Sequence, residues 1–384
     1  MEALYSLWTF PAIVFAALLI AWGAECGQFY ISQGLALAVL AWVQTLPEFA
    51  VEATIAFEAA KNPEQLHLVT ANFTGSLRLF VGFGWPMIYF TALFFSGEPV
   101  HQKGRGFRRI VMEDENAFTV LGLLPAILYF VWIYLKGTLT MADGLVLGSI
   151  YGVYMWFLSK LPPQAAEGIE DLGRVPRWVM QRSKAQSIAA IAALFFAGAL
   201  ILWFCAHPFL HSMLALSVSL GISQFVFVQW VAPFLSEFPE TLSVFRWAQQ
   251  VKKAPMALTN FVSSSMNQWT ILTGMVPFIY SLGLGHAGVI PFDEHQKVEI
   301  LLTIVQSYLG FVFLVSMDFS LIEAVGLFAL WFAQFIFPSV REEIIWVYGG
   351  WAALETLRLV QNFHERNAFR VFSRMCRELF FKKS

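Results

Sequence analysis

The chain is a succession of apolar runs, each close to the length that crosses a lipid bilayer, separated by short polar stretches. A crossing helix needs about 20 apolar residues. Inside a bilayer the backbone must satisfy its own hydrogen bonds, so long apolar runs become helices. The first half of the chain holds five such runs: Leu7 to Cys26, Gln33 to Ala60, Leu66 to Phe95, Ala117 to Leu135 and Ala142 to Leu158. The second and third are interrupted, by Pro47 and by Gly82-Phe83-Gly84-Trp85-Pro86. A charged stretch, Lys160 to Ser187, separates them from five more: Ile188 to Ala206, Met213 to Gln249, Met256 to Leu284, Val298 to Met317 and Leu321 to Phe337. Here too the second and third are interrupted, by Pro233 and Pro239 and near Gly274 and Pro277.

Composition agrees. The chain is 58% hydrophobic and 13% charged, against about 45–50% and about 25% in soluble domains. The expected fold class is an all-α polytopic membrane protein. A net charge of −2 gives no bias toward nucleic acid. Cys26, Cys205 and Cys376 are widely separated and form no CxxC, which excludes a disulfide framework and a thiolate metal site. Met1-Glu2-Ala3 lacks the basic start of a cleaved leader, so the first run reads as a retained span.

The two groups of five share motifs. Leu46-Pro47-Glu48-Phe49 precedes Asn72-Phe73-Thr74-Gly75-Ser76, and Phe238-Pro239-Glu240-Thr241 precedes Asn260-Phe261-Val262-Ser263-Ser264. The last span of each group opens alike, Thr140-Met141-Ala142-Asp143 against Ser320-Leu321-Ile322-Glu323, each resembling an N-cap with an acid three residues on. Five is odd, so two copies in tandem enter the membrane in opposite directions. That is an inverted repeat, the plan of many secondary transporters, with sites at the midplane on broken helices. The expected organisation is a first half 1–159, a cytoplasmic connecting loop 160–187, an inverted second half 188–338 and a C-terminal part 339–384.

Basic residues mark cytoplasmic loops. Lys103, Arg105, Arg108, Arg109, Lys160, Arg174, Arg177, Arg182, Lys184, Lys252 and Lys253 fall on one side, and only Lys61, Lys136 and Lys297 on the other. The N-terminus is therefore expected outside and loop 160–187 in the cytoplasm, as befits a plasma (cell inner) membrane protein. The tail carries Arg366, Arg370, Arg374, Arg377, Lys382 and Lys383. Ten spans would leave it outside; an eleventh over Ile344 to Val360 would bring it in. Glu355 and Arg358 lie within that segment at i,i+3 spacing and can pair. The alternative is an amphipathic helix on the membrane surface. The tail's basic residues, interleaved with Phe369, Phe372, Phe380 and Phe381, suit an anionic lipid surface.

Charge inside a membrane is costly and needs a reason. Gln44, Glu48 and Glu52 share a helical face, with Thr45 close to it; Ser236 and Glu240 are four apart with Glu237 between them. Proline removes an N–H and frees carbonyls nearby. Carboxylates beside carbonyls and amides are a ligand set for hard cations, which take oxygen. Asn72, Ser76, Asn260 and Ser264 offer neutral oxygens on the following helices. The same residue types also serve as glue between helices.

These motifs resemble the calcium/cation antiporter superfamily, the sodium/calcium exchangers and their relatives. That family carries a Gly-Thr-Ser-Leu-Pro-Glu element and a Gly-Asn-x-x-Gly-Ser-Asn element in each inverted repeat. Gln44-Thr45-Leu46-Pro47-Glu48 and Ser236-Glu237-Phe238-Pro239-Glu240 match the first; the two Asn-Phe segments match the second. The resemblance covers all ten spans. It implies a secondary active antiporter working by alternating access, exchanging Ca²⁺ for Na⁺ or H⁺, with no cofactor beyond the transported ions. Glu48 and Glu240 would be the principal metal ligands. Thr45, Ser236, Ser76 and Ser264 would complete the sites, and the first and sixth spans would slide across the rest.

The departures matter. Gln44-Thr45 and Ser236-Glu237 stand where the family has Thr-Ser, and Phe80 and Gln268 stand where a polar Asn or Asp is common. Glu52 and Glu237 are candidates to replace lost oxygens. Clustered acids also make H⁺ a reasonable coupling ion. Arg78 falls two residues from Ser76, off the site face, and is expected to partner an acid or a lipid headgroup. These departures motivate the alternative of a transport-inactive relative acting as membrane scaffold or cation sensor. His207 and His211 have zinc-compatible spacing, but Pro208 between them suggests loop histidines at a span junction. Gly283-Leu284-Gly285-His286-Ala287-Gly288 follows a membrane span, not a strand, so it is no dinucleotide motif. No nucleophile–base pair is visible, so no enzyme is expected.

Overall fold

A computed structural model describes residues 2–30, 42–43, 45–95, 109–161, 168–362 and 367–380 of the chain. Gln44, the start of the second expected span, the loop bases Lys103, Arg105 and Arg108, and the tail residues Arg366, Phe381, Lys382 and Lys383 lie outside them. The protein is helical almost throughout: α1 (Ser6–Gly27), α2 (Leu46–Lys61), α3 (Leu66–Leu79), α4 (Trp85–Phe95), α5 (Ala117–Lys136), α6 (Met141–Leu158), α7 (Arg174–Met180), α8 (Lys184–Ser219), α9 (Gln224–Ser236), α10 (Phe238–Gln249), α11 (Ala254–Asn267), α12 (Thr273–Leu284), α13 (Glu294–Leu314), α14 (Leu321–Ile336), α15 (Arg341–Gln361) and α16 (Asn367–Phe380). Among the described residues, six stretches are long and apolar enough to cross a membrane: Glu2–Gly27, Pro63–Phe95, Asp114–Lys136, Met141–Leu158, Lys184–Ser219 and Glu294–Leu314. Gln224–Ser236 and Leu321–Ile336 are shorter apolar helices.

The chain is a polytopic helical membrane protein built from two inverted five-helix repeats, and local structure repeats with the sequence. Each Pro-Glu pair opens a helix, Pro47 and Glu48 in the first turn of α2, Pro239 and Glu240 in the first turn of α10. Proline costs nothing there because its missing N–H has no helical partner, and a carboxylate suits the positive end of the helix dipole. The seventh expected span is therefore a broken helix, α9 followed by α10, and the described part of the second starts a new helix at its Pro-Glu pair.

The third and eighth spans behave differently from expectation. The chain is not interrupted. Five residues of π-helix, Phe80–Gly84, join α3 to α4, and five more, Gln268–Leu272, join α11 to α12. Both π-turns begin eight residues after the motif asparagine. Extra residues in a helix at matching places in two repeats mark a built feature, as π-bulges often do.

A second correction concerns the sixth and seventh spans. Pro208 does not end a helix. It lies inside α8, which runs unbroken over 36 residues, so Met213 belongs to α8 and the next helix starts at Gln224. His207 and His211 are therefore helical residues, not loop residues. Pro233 likewise lies inside α9, and the break falls at Glu237.

The helices gather into two compact units. The first comprises Met1–Gly75, Met155–Thr241 and Met275–Gly288. Within it α1 lies against α8. A Cβ on Gly198 would stand 3.0 Å from the Ala16 carbonyl oxygen and 2.7 Å from Ile20 Cγ1, so glycine sets how closely these helices approach. Thr9 and Ser212 share a 2.8 Å hydrogen bond, and Phe10 meets Phe209 edge-on at 5.3 Å. Small residues and hydroxyl pairs are how helices associate where lipid replaces water. Leu7, Phe196 and Trp203 are exposed on the outer faces, as lipid contact requires.

The second unit comprises Ser76–Tyr154, Leu242–Gly274 and Val289–Ser384. In its core Phe130 meets Trp269 edge-on (ring centroids 4.4 Å apart) and Phe80 packs against Phe261 at a tilt (4.8 Å). Two short antiparallel ribbons tie its ends. Strand β1 (Arg109–Val111) pairs with β4 (Asp318–Ser320), and β2 (Thr138–Thr140) with β3 (Val289–Pro291). β1 and β3 precede the fourth and ninth spans, and β2 and β4 the fifth and tenth, so each ribbon crosses from one repeat to the other with the roles exchanged. That exchange is what a two-fold relation between repeats produces.

Both expected caps form. Thr140 N donates to Asp143 Oδ2 (2.7 Å) and Asp143 N to Thr140 Oγ1 (3.4 Å). Ser320 N donates to Glu323 Oε2 (2.6 Å) and Glu323 N to Ser320 Oγ (3.5 Å). Helix α15 packs along α13, where Arg341 pairs with Glu299 and Tyr308 and Thr356 share a hydrogen bond (3.1 Å), and at the start of α16 Ala368 N donates to the Val315 carbonyl (2.9 Å). Glu355 and Arg358 pair at 3.5 Å.

Candidate cation site

Helices α2 and α3 form a hairpin closed by a short turn, Pro63–Gln65, whose Glu64 N–H is capped by Asn62 Oδ1. The hairpin places Asn72 opposite Glu52, and Asn72 Nδ2 donates to Glu52 Oε2 at 2.5 Å. Glu52 Oε1 and Asn72 Oδ1 are both buried with no hydrogen-bond partner among the described residues. One bond thus orients a carboxylate and an amide and leaves an oxygen of each for a third party. Buried oxygens of this kind are costly unless a donor or cation meets them.

The other expected residues of the first unit are also buried. Thr45, Glu48, Ser236, Glu237 and Glu240 are each no more than 2% exposed. Thr45 Oγ1 donates to the Trp42 carbonyl (2.8 Å), and Ser236 Oγ to the Ala232 carbonyl (3.0 Å). Each hydroxyl is thereby oriented while its oxygen can still accept. Gln44 lies outside the described residues.

The charge balance of this unit is one-sided. Among the described residues it buries Glu25, Glu48, Glu52, Glu237 and Glu240, and no Lys or Arg. The two bases buried among the described residues, Arg78 and Arg341, both belong to the second unit.

Sequence reading missed Gln229 and Thr74 in the first unit. Gln229 is fully buried in α9; its Nε2 donates to Thr74 Oγ1 (3.4 Å), which in turn donates to the Thr70 carbonyl (2.5 Å). The main chain comes closer still: a Cβ on Gly75 would stand 1.8 Å from the Gln229 carbonyl oxygen. Gly75 is therefore the contact point of α3 with α9. A glutamine inside an apolar run was the available signal.

The second unit holds Ser76, Asn260, Ser264 and Gln268, all buried. Phe80 and Gln268 open their π-turns, and Phe80 packs on Phe261. Arg78 partners an acid, as its off-site position predicts. It pairs with Glu299, which also pairs with Arg341, and its Nη1 donates to Gln334 Oε1 (2.9 Å). Gln334 Nε2 donates to Gln306 Oε1 (3.0 Å), and Gln306 Nε2 to the Arg78 carbonyl (3.0 Å), closing a buried ring. Polar residues inside the ninth and tenth spans were the overlooked sign of this network.

A sequence model of the family described as "Sodium/calcium exchanger protein" matches residues 2–160 and 190–340. The chain is similar to the crystal structure of the H⁺/Ca²⁺ exchanger CAX, with a TM-score of 0.88 and 28% identity over 98% of this chain and 91% of that one. It also shares its fold with the sodium-calcium exchanger NCX_Mj, in the structure soaked with 100 mM Na⁺ and 10 mM Sr²⁺: TM-score 0.54, 16% identity, 88% of this chain and 98% of that one. The same protein soaked with 10 mM Na⁺ and no Ca²⁺ gives 0.52 and 15%, again over 88% and 98%. A search of curated protein sequences found no match.

Proposed function

The chain belongs to the sodium/calcium exchanger family, and from that premise we propose that it is a secondary active antiporter that exchanges Ca²⁺ for H⁺. The observation that carries this reading is the set of buried carboxylates in a unit that buries no Lys or Arg among its described residues. A buried carboxylate that gives up one cation needs another, or a proton, in its place. That requirement is the physical basis of exchange. The similarity to an H⁺/Ca²⁺ exchanger favours the proton as counter-ion over Na⁺.

Glu48 and Glu240 are the principal metal ligands in this account, each held at the first turn of a helix. Glu52 and Asn72 supply the two oriented oxygens described above. Thr45, Ser236, Glu237, Ser76, Asn260, Ser264, Gln268 and Gln44 form the rest of the proposed set. Because Arg78 is tied to Glu299 and Gln334, the motive for a transport-inactive scaffold or cation sensor weakens. The protein acts as a transporter with no cofactor besides its ions, not as an enzyme.

The halves 1–159 and 188–338 are proposed to be joined by a cytoplasmic loop, 160–187, with the N-terminus outside a plasma membrane. In that orientation α15 is an eleventh span. It packs along α13 through Arg341 on Glu299 and Thr356 on Tyr308, and α16 then docks by Phe372 on Phe118 (4.8 Å) and by Arg374 on Asp114. A cavity of about 570 Å³ beside α16, lined by Phe311, Val312, Leu359, Arg370 and Arg377, fits an anionic lipid with its acyl chain.

The test is uptake of labelled Ca²⁺ into proteoliposomes under an imposed H⁺ gradient or an imposed Na⁺ gradient. The H⁺ gradient is expected to drive uptake. Uptake under Na⁺ alone would change the coupling ion, and uptake under neither would end the antiport reading.

A further inference from the structure

Outside the proposed cation path, the first unit brings together Glu58 of α2 with His207 and His211 of α8. Because α8 continues through Pro208, the two histidines lie one turn apart on one face. Their Nε2 atoms are 3.1 Å apart, and Glu58 Oε1 stands 3.6 Å from His207 Nε2. One ligand atom from each of the three lies within 4.8 Å of the other two.

We propose that Glu58, His207 and His211 form a binding site for a divalent transition metal, Zn²⁺ being the representative case, and that the bound metal clamps α2 to α8. A tetrahedral zinc ion with ligands about 2.0–2.1 Å away holds its donors about 3.3 Å from one another. The observed spacings of 3.1 and 3.6 Å bracket that value. Two imidazoles and one carboxylate fill three positions and leave a fourth for water. The donor set also selects. Imidazole suits zinc, copper and nickel, whereas Ca²⁺ takes six to eight oxygens, so this cluster does not compete for the transported ion.

The surroundings permit binding. His207 is exposed and Glu58 about four-fifths buried, and Lys61, in the last turn of α2, lies beside Glu58. Lys61 Nζ lies 3.7 Å from Glu58 Oε1 and over the Phe57 ring at 4.2 Å, so it can move off the carboxylate without losing its second contact. The clamp follows from placement. Glu58 is on the same helix as Glu48 and Glu52, so a metal that ties it to α8 restrains the helix that carries two of the proposed cation ligands.

Isothermal titration of tag-free, full-length protein in detergent with zinc chloride tests the site. The wild type is expected to take up one Zn²⁺ per chain at the three residues. His207→Ala, His211→Ala and Glu58→Gln are each expected to weaken binding by about tenfold or more. All three leave the proposed cation path intact, and an unchanged melting temperature without metal confirms folding of each. Zinc binding that is the same in the wild type and in a folded His207→Ala/His211→Ala double variant overturns the site. The clamp is tested by Ca²⁺ flux in proteoliposomes, an arm that rests on the antiport reading. Zn²⁺ is expected to slow flux in the wild type and not in the double variant; equal inhibition of the two overturns the clamp. A wild type that moves no Ca²⁺ even without Zn²⁺ would refute antiport, and the titration would still decide the site.

Discussion

Asn72 Nδ2 donates to Glu52 Oε2 at 2.5 Å and leaves Glu52 Oε1 and Asn72 Oδ1 buried without a partner among the described residues. The bond joins two helices of one hairpin and fixes where both spare oxygens stand. Asn72→Ala removes an oxygen and the donor that orients the carboxylate. Calcium binding by calorimetry is expected to weaken about 10–100-fold, the usual effect of losing a group that orients a metal ligand. Unchanged affinity in a folded variant would remove this pair from the site.

A second expectation concerns the charge network of the other unit. Glu299 is shared by Arg78 and Arg341 in a buried setting. Glu299→Gln leaves two buried guanidiniums facing an amide. Breaking a buried pair in this way costs about 3–5 kcal/mol. Unfolding in detergent should show that loss, and Arg78→Met on the Glu299→Gln background should recover part of it in a double-mutant cycle.

Helix contact at Gly75 gives a third. An alanine Cβ there would meet the Gln229 carbonyl at 1.8 Å, so α3 and α9 must separate. Overpacking of this kind costs about 1–3 kcal/mol or more. Gly152, in α6, is the control: a Cβ there meets nothing within 4 Å. Thermal melting should fall for Gly75→Ala and hold or rise for Gly152→Ala.

The course of α15 is tested by Cys376. Cys26 and Cys205 are buried, while Cys376 on α16 is partly exposed. If α15 crosses the membrane, a membrane-impermeant maleimide labels Cys376 in inside-out vesicles and not in right-side-out ones. The reverse pattern would make α15 an interfacial helix. Burial raises the Cys376 thiol above its ordinary range, so less of it is thiolate at neutral pH. Labelling should therefore speed up as pH rises toward that range.

Features that depend on neighbours in sequence are legible there. The helix starts at Pro47-Glu48 and Pro239-Glu240 and the caps at Thr140-Asp143 and Ser320-Glu323 need only a few consecutive residues. The inverted repeat follows from counting spans. The π-turns at Phe80 and Gln268 pass for interruptions in the sequence, because one added residue per turn leaves no mark on hydropathy. Pro208 passes for a boundary, yet proline inside a membrane helix is tolerated where tertiary packing holds the helix. Its neighbours Phe209 and Ser212 are held by Phe10 and Thr9 of α1. The Arg78–Glu299 pair joins positions 221 residues apart, and no local pattern encodes such a meeting. The role of Glu52 is ambiguous in sequence for the same reason: its partner Asn72 is set by the hairpin, 20 residues on.

The most direct measurement is gradient-driven uptake of labelled Ca²⁺ by proteoliposomes holding either the wild type or the Glu48→Gln/Glu240→Gln variant, both shown to be folded. The account predicts uptake against a Ca²⁺ gradient in the wild type and its loss in the variant. Undiminished uptake in the variant would contradict it.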